Sequence, residues 1–429
     1  MKTFVNPGKD EIKQITTRPV IKLKSLKKVI KPIFKSVRRR GDKALIRFAF
    51  EYDHAEIKDV LVTEREIQAA ITKVNPELKS AINKAVANIE KFHQAQVQSE
   101  LKIETMRGVS CMRRSVPIEK VGLYVPGGTA PLFSTVLMLG IPAKIAGCRE
   151  IVLCTPPTKE GRIHPAILYA ANLVGIHKVI KVGGAQAIAA MTYGTESVPK
   201  VYKIFGPGNQ YVTAAKQYVS QKGMAIDMPA GPSEVAVYAD ETAIPQFVAA
   251  DLLSQAEHGI DSQVLLVTSN VDILKKCKLE IDKQLDKLPR KRIAEQSLAK
   301  SSLVVMNSQE EAIKLLNQYA AEHLILSVKE PEKVADQIIN AGSVFLGNLS
   351  PESVGDYASG TNHTLPTNKA ALAFSGVSVD SFVKKITYQK LTERGIKTLG
   401  PIVEVMAEEE HLVGHKNAVT LRLKYLEKN

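Results

Sequence analysis

The feature that most constrains the fold is an alternation of short, β-branched apolar runs with helical stretches through the middle of the chain. Nine runs have the composition of buried strands: 121–125, 151–154, 179–182, 201–205, 235–239, 264–268, 303–306, 324–328 and 344–347. Strand–helix alternation predicts parallel sheets covered by helices. Nine strands are many for one sheet, so we expect two α/β units of four or five strands, separated near the loop at 227–234.

The N-terminal part of the chain lacks this alternation. Residues 1–20 are expected to form an arm, because two prolines mark irregular structure there. Apolar residues recur at helical spacing over 23–50 and 64–104. We therefore predict a helical region before the first sheet.

The alternation also stops beyond residue 348. Residues 348–368 form a polar stretch containing Gly and Pro, and a loop of this length in a compact domain is usually functional or disordered. Asp356 and His363 within it favour a functional loop. The tail from residue 380 is predicted to be helical, with Pro401 starting its second helix.

The composition is that of an ordinary globular protein. Hydrophobic residues make up 45% and charged residues 24% of the 429 positions. No apolar run approaches the length of a transmembrane helix, and the N-terminus lacks the apolar core of a secretory signal. The four cysteines form no CxxC pair and do not indicate a disulfide framework. We therefore expect a cytoplasmic protein with no membrane partner.

The net charge of +14 is concentrated near the N-terminus, where residues 21–43 carry ten Lys or Arg against one Asp. Such a patch could bind nucleic acid or an anionic surface. Only one aromatic residue, Phe34, is interleaved, and no nucleic-acid-binding motif is recognised. A solvated basic helix face is the favoured interpretation, and nucleic acid is not expected as a partner.

Three glycine-rich segments directly follow predicted strands: Gly127–Gly128, Gly183–Gly184 and Gly206–Gly208. Glycines at these places let the backbone approach a ligand, and the following helix N-terminus favours phosphate. The dinucleotide fingerprint is not met, because the third segment lacks the last glycine and no acidic residue stands some twenty residues further on in the expected context. A nucleotide site and ordinary tight turns both remain open from the spacing alone.

Polar residues with metal-binding and proton-transfer chemistry collect in the second half of the chain. Gln255 and His258, in the segment LLSQAEHG, share one face of a predicted helix end. Together with Asp356 and His415 they would make a mixed nitrogen and oxygen site for a cation such as Zn²⁺. The adjacent Glu322–His323 could then transfer protons. No spacing rule links these elements, so scattered surface histidines and a helix end remain the alternative.

Several long blocks carry a resemblance to one enzyme family. They are VGLYVPGGTA, KVGGAQAIAA, IFGPGNQYVTAAK, AIDMPAGPSEV, DLLSQAEHG, AAEHL, PESVGDYASGTNHTLPT and GHKNAVTLRL, in this order over residues 121–424. Together they resemble histidinol dehydrogenase. One departure is Ala321, where the family more often has proline before Glu-His-Leu.

The resemblance implies a zinc-dependent, sometimes manganese-dependent, NAD enzyme that catalyses the last step of histidine biosynthesis. It implies four-electron oxidation of L-histidinol to L-histidine through bound histidinaldehyde, with two NAD⁺. It implies a cytoplasmic homodimer whose site is shared between subunits. The implied fold class is α/β, with two incomplete Rossmann-like (aldehyde-dehydrogenase-like) parallel-sheet domains and small helical terminal segments.

Matching the family position by position assigns roles to particular residues. The metal ligands would be Gln255, His258 and Asp356, with His415 from the other subunit, and all four would also contact substrate. Glu322 and His323 would be the catalytic acid/base pair and would touch substrate too. Further substrate contacts would be Ser233, His363 and Glu410. Dinucleotide contacts would be Tyr124, Gln186 and Asn209.

The patterns and the resemblance together predict five segments. They are an arm at 1–20, a helical region at 21–118, an NAD-binding α/β domain at 119–234, a metal-binding and catalytic α/β domain at 235–376, and a helical segment at 377–429 that is exchanged in the dimer. From the residues alone, a metal-dependent hydrolase could use the same polar groups. A basic RNA-binding or interaction protein is the alternative from another class.

Overall fold

The computed structural model describes residues 1–18, 23–127, 130–228 and 231–428, with only the backbone described at 23–24. Gly128 of the first glycine pair, the last two residues of the predicted arm and part of the predicted break at 227–234 lie outside these ranges. The strands are β1 (Lys2–Val5), β2 (Leu101–Met106), β3 (Val109–Pro117), β4 (Lys120–Tyr124), β5 (Glu150–Thr155), β6 (Lys178–Lys181), β7 (Lys203–Phe205), β8 (Ala225–Ile226), β9 (Glu234–Ala239), β10 (Gln263–Thr268), β11 (Ser302–Val305), β12 (His323–Ser327), β13 (Ser343–Leu346) and β14 (Val383–Leu391).

The helices surround these strands, and most of them connect consecutive parallel strands. They are α1 (Lys9–Thr16), α2 (Leu23–Arg40), α3 (Asp42–Asp53), α4 (Glu64–Lys73), α5 (Pro76–Gln94), α6 (Phe133–Ala146), α7 (Pro165–Leu173), α8 (Gly184–Tyr193), α9 (Gln210–Ser220), α10 (Pro245–Ala256), α11 (Val271–Leu285), α12 (Lys291–Leu298), α13 (Gln309–Tyr319), α14 (Pro331–Ala335), α15 (Glu352–Tyr357), α16 (Glu393–Glu409) and α17 (Val413–Lys428). Short 3₁₀ turns occur at Ala370–Leu372 and Val379–Phe382.

Two parallel sheets form the core, which confirms the predicted α/β class. The first has the order β6-β5-β4-β7-β8 and the second β1-β11-β10-β9-β12-β13, and every pairing in both is parallel. All nine predicted strands occur in these sheets. Strands such as β9 and β10 are buried along their whole length, as expected when helices cover both faces.

Each sheet also contains a strand that the sequence pattern did not predict. The two-residue β8 is too short to give a pattern. The predicted arm is wrong as irregular structure, because its first residues form the edge strand β1 and its later residues form α1. In β1 only Phe4 is buried, and the strand is fixed by pairing with β11, some 300 residues further along the chain.

The helical prediction fails at residues 101–117 and again at 383–391, where the chain forms an antiparallel sheet in the order β14-β3-β2. These strands are mostly exposed and carry many charges, so they lack the apolar alternation that marks a half-buried strand. Gly108, with φ +85°, makes the turn between β2 and β3. The pairing of β14 with β3 joins distant segments and is invisible in a local pattern.

The described chain divides into two compact units. The first comprises Met1–Gln96 with Ile118–Phe382 and contains both parallel sheets, and the second comprises Val97–Pro117 with Val383–Asn429. In the second unit Pro401 lies inside α16 instead of starting a helix. Gly400 beside it lets α17 approach, since a Cβ there would touch Val419 and Leu423. The helical part of the predicted tail is therefore confirmed only after residue 392.

The basic stretch forms the amphipathic helix α2. Its apolar side chains are buried at helical spacing at Leu26, Ile30, Phe34 and Val37, while most of its Lys and Arg side chains are exposed. Full burial of a Leu, Ile or Phe side chain contributes about 1.5–3 kcal/mol, so this face alone anchors the helix. The arrangement is that of a solvated basic helix face. Among the described residues, no helix is long and apolar enough to cross a membrane.

Candidate active site

The first unit contains a cavity of about 890 Å³ next to the carboxyl end of β7 and the amino ends of β9, β10 and β12. Eight of the twelve predicted site residues line it: Asn209, Ser233, Gln255, His258, Glu322, His323, Asp356 and His363. Distant chain segments therefore converge here, as the resemblance implied. The cavity therefore lies at the carboxyl end of the sheet that contains β7 and at the amino end of the sheet that contains β9, β10 and β12.

His323 lies at the start of β12 and is held at both ring nitrogens. Nδ1 lies 3.2 Å from the carbonyl oxygen of Glu234, and Nε2 lies 3.2 Å from Oδ1 of Asp356. A carbonyl oxygen only accepts, so Nδ1 carries a hydrogen. Nε2 is then the nitrogen that can gain or lose a proton towards the cavity.

Glu322 precedes this histidine at a sharp turn. Ala320, the C-cap of α13, has φ +51°, a left-handed conformation that costs a non-glycine residue free energy and redirects the chain into β12. Oε2 of Glu322 accepts a hydrogen bond of 2.8 Å from the backbone N–H of Glu234 and lies 3.6 Å from Nδ1 of His323. The two proposed catalytic side chains are therefore held by the same residue of β9.

Glu352 is a buried carboxylate at this site that the sequence analysis missed. Its Oε1 accepts from Ser254 Oγ at 2.8 Å, and its Oε2 lies 4.0 Å from Nδ1 of His323. Oε2 has no hydrogen-bond partner within the described part of the chain. A signal was available, because Glu352 stands one helical turn before Asp356 in the stretch that was predicted to be a functional loop. That stretch is in part the short helix α15.

The electrostatics of this cluster favour a cationic His323. Desolvation lowers its pKa, but the carboxylates of Glu322, Asp356 and Glu352 outweigh this effect and raise it to about 10. Desolvation raises the pKa of Glu322 to about 8 and that of Glu352 to about 7, against the stabilising charge of His323. For Asp356 burial acts in the same direction, yet hydrogen bonding and attraction to His323 prevail and lower its pKa.

His258 and His363 have the opposite character, because desolvation lowers the pKa of both imidazoles. His363 is fixed by contacts of Nδ1 with the Asp356 carbonyl at 2.9 Å and of Nε2 with Thr135 Oγ1 at 3.2 Å. A neutral imidazole is the form that binds a metal ion. Burial therefore favours the neutral form of His258.

Gln255 is fully buried near the end of α10, and His258 lies just beyond the helix instead of within it. In either orientation of the Gln255 amide, one of its polar atoms lies 3.0 Å from Nδ1 of His258. One orientation also pairs the amide with Glu352 Oε1 at 3.2 Å and with the N–H of Glu234 at 2.9 Å. The opposite orientation turns the oxygen towards His258.

The donor types fit a borderline cation such as Zn²⁺, which takes imidazole nitrogen together with carboxylate or carbonyl oxygen. Gln255, His258 and Asp356 line one cavity. Oε2 of Glu352, which has no partner among the described residues, lies in the same cluster. Within the described ranges, no group of three or more His, Cys, Asp or Glu side chains is already arranged to hold a metal. Of Gln255, His258 and Asp356, only the last two are of these residue types.

The remaining predicted ligand and one substrate contact lie in the second unit. Glu410 is the C-cap of α16, and His415 lies on α17, and both are exposed. His411 stands four positions before His415, but it does not share a helix face with it, because it lies between the two helices with φ +58°.

The three predicted dinucleotide contacts differ in their settings. Asn209 lines the cavity and caps α9, since its side chain accepts from the N–H groups of Tyr211 and Val212. Tyr124 and Gln186 are buried outside the cavity lining, beside the glycine turn after β6. The Tyr124 hydroxyl accepts from the N–H of Gly184 at 3.1 Å.

A buried ion pair from the N-terminal segment lies directly behind Glu322 and His323, and the sequence analysis missed it. Arg18 Nε and Nη2 donate to the two carboxylate oxygens of Glu234 at 2.7 and 2.8 Å. Both side chains are about 95% buried or more. Arg18 lies 216 positions from Glu234, so no sequence pattern could pair them.

Known proteins share both the sequence and the fold of this chain. The family model described as histidinol dehydrogenase matches residues 16–423. A histidinol dehydrogenase from Bacteroides fragilis is 58% identical over the full length of both chains, and one from Yersinia pestis is 51% identical over 97% of this chain and 94% of its own. A crystal structure of histidinol dehydrogenase from Elizabethkingia anophelis, 56% identical, matches with a TM-score of 0.97 over 100% of this chain and 99% of its own. The chain therefore belongs to the histidinol dehydrogenase family.

Proposed function

We propose that the protein is an NAD-dependent oxidoreductase of histidine biosynthesis that converts L-histidinol to L-histidine in two successive oxidations, with histidinaldehyde kept bound between them. The observation that carries this proposal is the convergence of Glu322 and His323 with His258 and Asp356 in one cavity of a family member. The first oxidation removes a hydride and a proton from the alcohol. The second adds water to the aldehyde before a further hydride and proton leave.

Gln255, His258 and Asp356 of one subunit would hold the metal ion, with His415 supplied by the other subunit of a homodimer. A bound Zn²⁺ or Mn²⁺ would supply a cation that takes the amine and imidazole nitrogens of the amino alcohol and orients it. The neutral His258 and the carboxylate of Asp356 suit this role, and exchange of the terminal segment 377–429 would bring His415 to the site. The cage would be incomplete in a lone subunit.

His323 would accept the hydroxyl proton on Nε2 in the first oxidation. Its Nδ1–H is held by the Glu234 carbonyl at 3.2 Å, which fixes the ring with Nε2 facing Asp356 Oδ1. A metal ion bound to Asp356 would favour the neutral imidazole and so leave Nε2 able to accept the proton. Proton removal by a positioned imidazole contributes about 10²–10⁴ to the rate of such a step. NAD⁺, when bound, supplies the hydride acceptor for both oxidations.

Glu322 would act as general base towards water in the second oxidation. Burial raises the pKa of this carboxyl to about 8, which matches a group that exchanges protons near neutral pH. Its hydrogen bond to the N–H of Glu234 holds one oxygen and leaves the other for water. The assignment of His323 to the alcohol and Glu322 to water follows the family resemblance.

Asn209, Tyr124 and Gln186 would bind the dinucleotide, placing it in the domain at 119–234, while the domain at 235–376 would supply the metal and catalytic groups. Ser233, His363 and Glu410 would contact substrate together with the metal ligands and the catalytic pair. Asn209 of the first domain and His323 of the second line one cavity, which supports hydride transfer from substrate to dinucleotide where the two domains meet. We further propose a cytoplasmic homodimer.

The proposal is tested by mixing metal-replete protein with L-histidinol and NAD⁺ and following NADH by absorbance. Steady NADH formation with histidine as product is expected. A metal-dependent hydrolase with the same polar groups would form no NADH. Absence of NADH from metal-replete, folded protein would overturn the proposal.

A further inference from the structure

We propose that Arg18 is a positioning residue of this enzyme, acting on the catalytic pair through Glu234. The inference rests on the proposed function and adds a residue from the N-terminal segment to it. Arg18 is not among the residues that line the cavity. Any effect it has on catalysis must therefore pass through the residues that it holds.

Glu234 is the residue through which both catalytic side chains are placed. Its backbone N–H donates to Glu322 Oε2 at 2.8 Å, and its backbone oxygen accepts from Nδ1 of His323 at 3.2 Å. Strand pairing sets β9 beside β12, with His323 opposite Val235. A shift of the first residue of β9 would change both contacts at once.

Arg18 binds Glu234 on the side away from the cavity. It also links Glu234 to the segment that contains Glu322 and His323. Its guanidinium grips both carboxylate oxygens of Glu234, and Nη2 also donates to the carbonyl of Tyr319 at 2.9 Å. Tyr319 ends α13, three residues before Glu322, and its carbonyl is one that the helix itself leaves without a partner. Arg18 therefore links the start of β9 to the end of α13. The distance between these two segments sets the contacts that Glu322 and His323 make with Glu234.

The chemistry of this contact requires arginine. The guanidinium lies 3.4 Å from the centre of the Tyr319 ring and is almost fully buried. A planar fork can stack on the ring, grip two oxygens and reach a third acceptor, whereas an ammonium group is a point charge. Burial also raises the cost of any other arrangement, because an unpaired polar group is most costly in a buried, low-dielectric environment.

The loop that follows Asp356 also contacts the carboxylate of Glu234. The backbone N–H of Asn368, which has φ +55°, donates to Glu234 Oε1 at 2.9 Å. Thr367 beside it lines the cavity. The Arg18–Glu234 pair thus ties the N-terminal segment, the start of β9, the end of α13 and this loop together behind the site.

The test compares the Arg18→Lys enzyme with wild type and with Arg149→Lys as a matched control. Arg149 also pairs with a carboxylate, Glu119, at 3.9 Å, but both are exposed. For Arg18→Lys we expect kcat for histidinol oxidation to fall about 10- to 100-fold, with KM for histidinol and NAD⁺ within about threefold. Backbone amides at 234–239 and 319–323 should exchange hydrogen faster than in wild type. Arg149→Lys should change neither quantity.

Chemical rescue separates positioning from general stabilisation. The Arg18→Ala enzyme should regain kcat in a saturable manner with millimolar methylguanidinium, which can refill the space between Glu234 and Tyr319. Methylammonium should not restore it. If Arg18→Ala does not fold, the double variant Arg18→Met/Glu234→Gln leaves no unpaired buried charge and should fold with a similarly reduced kcat.

Folded Arg18→Lys or double-variant enzyme with wild-type kcat would overturn the inference. So would a loss that lies wholly in KM, or a lower melting temperature with unchanged exchange at 234–239. Failure of the wild-type enzyme to oxidise histidinol would instead overturn the proposed function. The exchange comparison needs no substrate and decides the positioning role separately.

Discussion

Nε2 of His323 lies 3.2 Å from Oδ1 of Asp356, although 33 positions separate the two residues in the chain. The proposed base and a proposed metal ligand are therefore in direct contact. The attraction holds His323 as a cation and Asp356 as an anion, since it raises the pKa of the first and lowers that of the second against the effect of burial. A metal ion bound to Asp356 would compensate the negative charge of this carboxylate. It would therefore favour the neutral, basic form of the His323 imidazole.

Replacing His323 with asparagine should remove the proton acceptor while keeping a polar group on β12. We expect kcat for histidinol oxidation to fall about 10²–10⁴-fold, because that is the usual contribution of a positioned acid or base. KM for histidinol should change much less. Steady-state kinetics measure both, with the exposed His177→Asn as control. An unaltered kcat would remove His323 from the mechanism.

The Glu322→Gln enzyme should be impaired mainly in the second oxidation. The amide keeps an oxygen that can accept from the N–H of Glu234, so the geometry is retained while the base is lost. NADH formed per histidinol should drop from two towards one, and hydroxylamine should trap histidinaldehyde. The exposed Glu241→Gln is the control. Equal loss of both oxidations would assign Glu322 a different role.

The shared cage predicts complementation between inactive chains. Mixing His258→Ala with His415→Ala should restore activity in heterodimers, because each heterodimer then contains one intact set of ligands. Mixing His258→Ala with Asp356→Ala should restore none, since those ligands would come from one chain. Activity after demonstrated subunit exchange is the measurement. No recovery in the first mixture would place the whole site within one subunit.

Asp251, 9% exposed on α10, should make stability fall with rising pH. Burial raises the pKa of this carboxyl from its model-peptide value of 3.8 to about 7, so the folded state binds the proton more tightly than the unfolded state. The contribution of Asp251 to the free energy of unfolding is complete below pH 3.8 and is lost as the pH rises to about 7. Above that pH it no longer changes. The Asp251→Asn protein should gain melting temperature over wild type more at pH 8 than at pH 4. A gain independent of pH would show that Asp251 does not titrate in this window.

The parallel sheets were predictable because their strands are buried on both faces and carry continuous β-branched runs, as in β9 and β10. The hairpin of β2 and β3 with β14 was not, since exposed strands such as Val383–Leu391 have no apolar pattern and are set by a distant partner. The short strand β1 was missed for the same reason.

The candidate site also contains residues that the sequence identified and residues that only the folded structure shows. Glu322, His323 and Asp356 were identified through long blocks that resemble a family, and no local spacing rule brought them together. Arg18 contacts Glu234 across the fold, for which one sequence gives no pattern, whereas Glu352 could have been found from its position one helical turn before Asp356. Arg18 in particular pairs with Glu234 only because β1 joins the edge of the second sheet and α1 contacts α13.

The most direct test of the central claim is the ratio of NADH formed to L-histidinol consumed by metal-replete enzyme, with histidine measured in the same sample. Two oxidations at one site predict two NADH and one histidine per histidinol, with no free aldehyde. One NADH with released histidinaldehyde, or no NADH at all, would contradict the account.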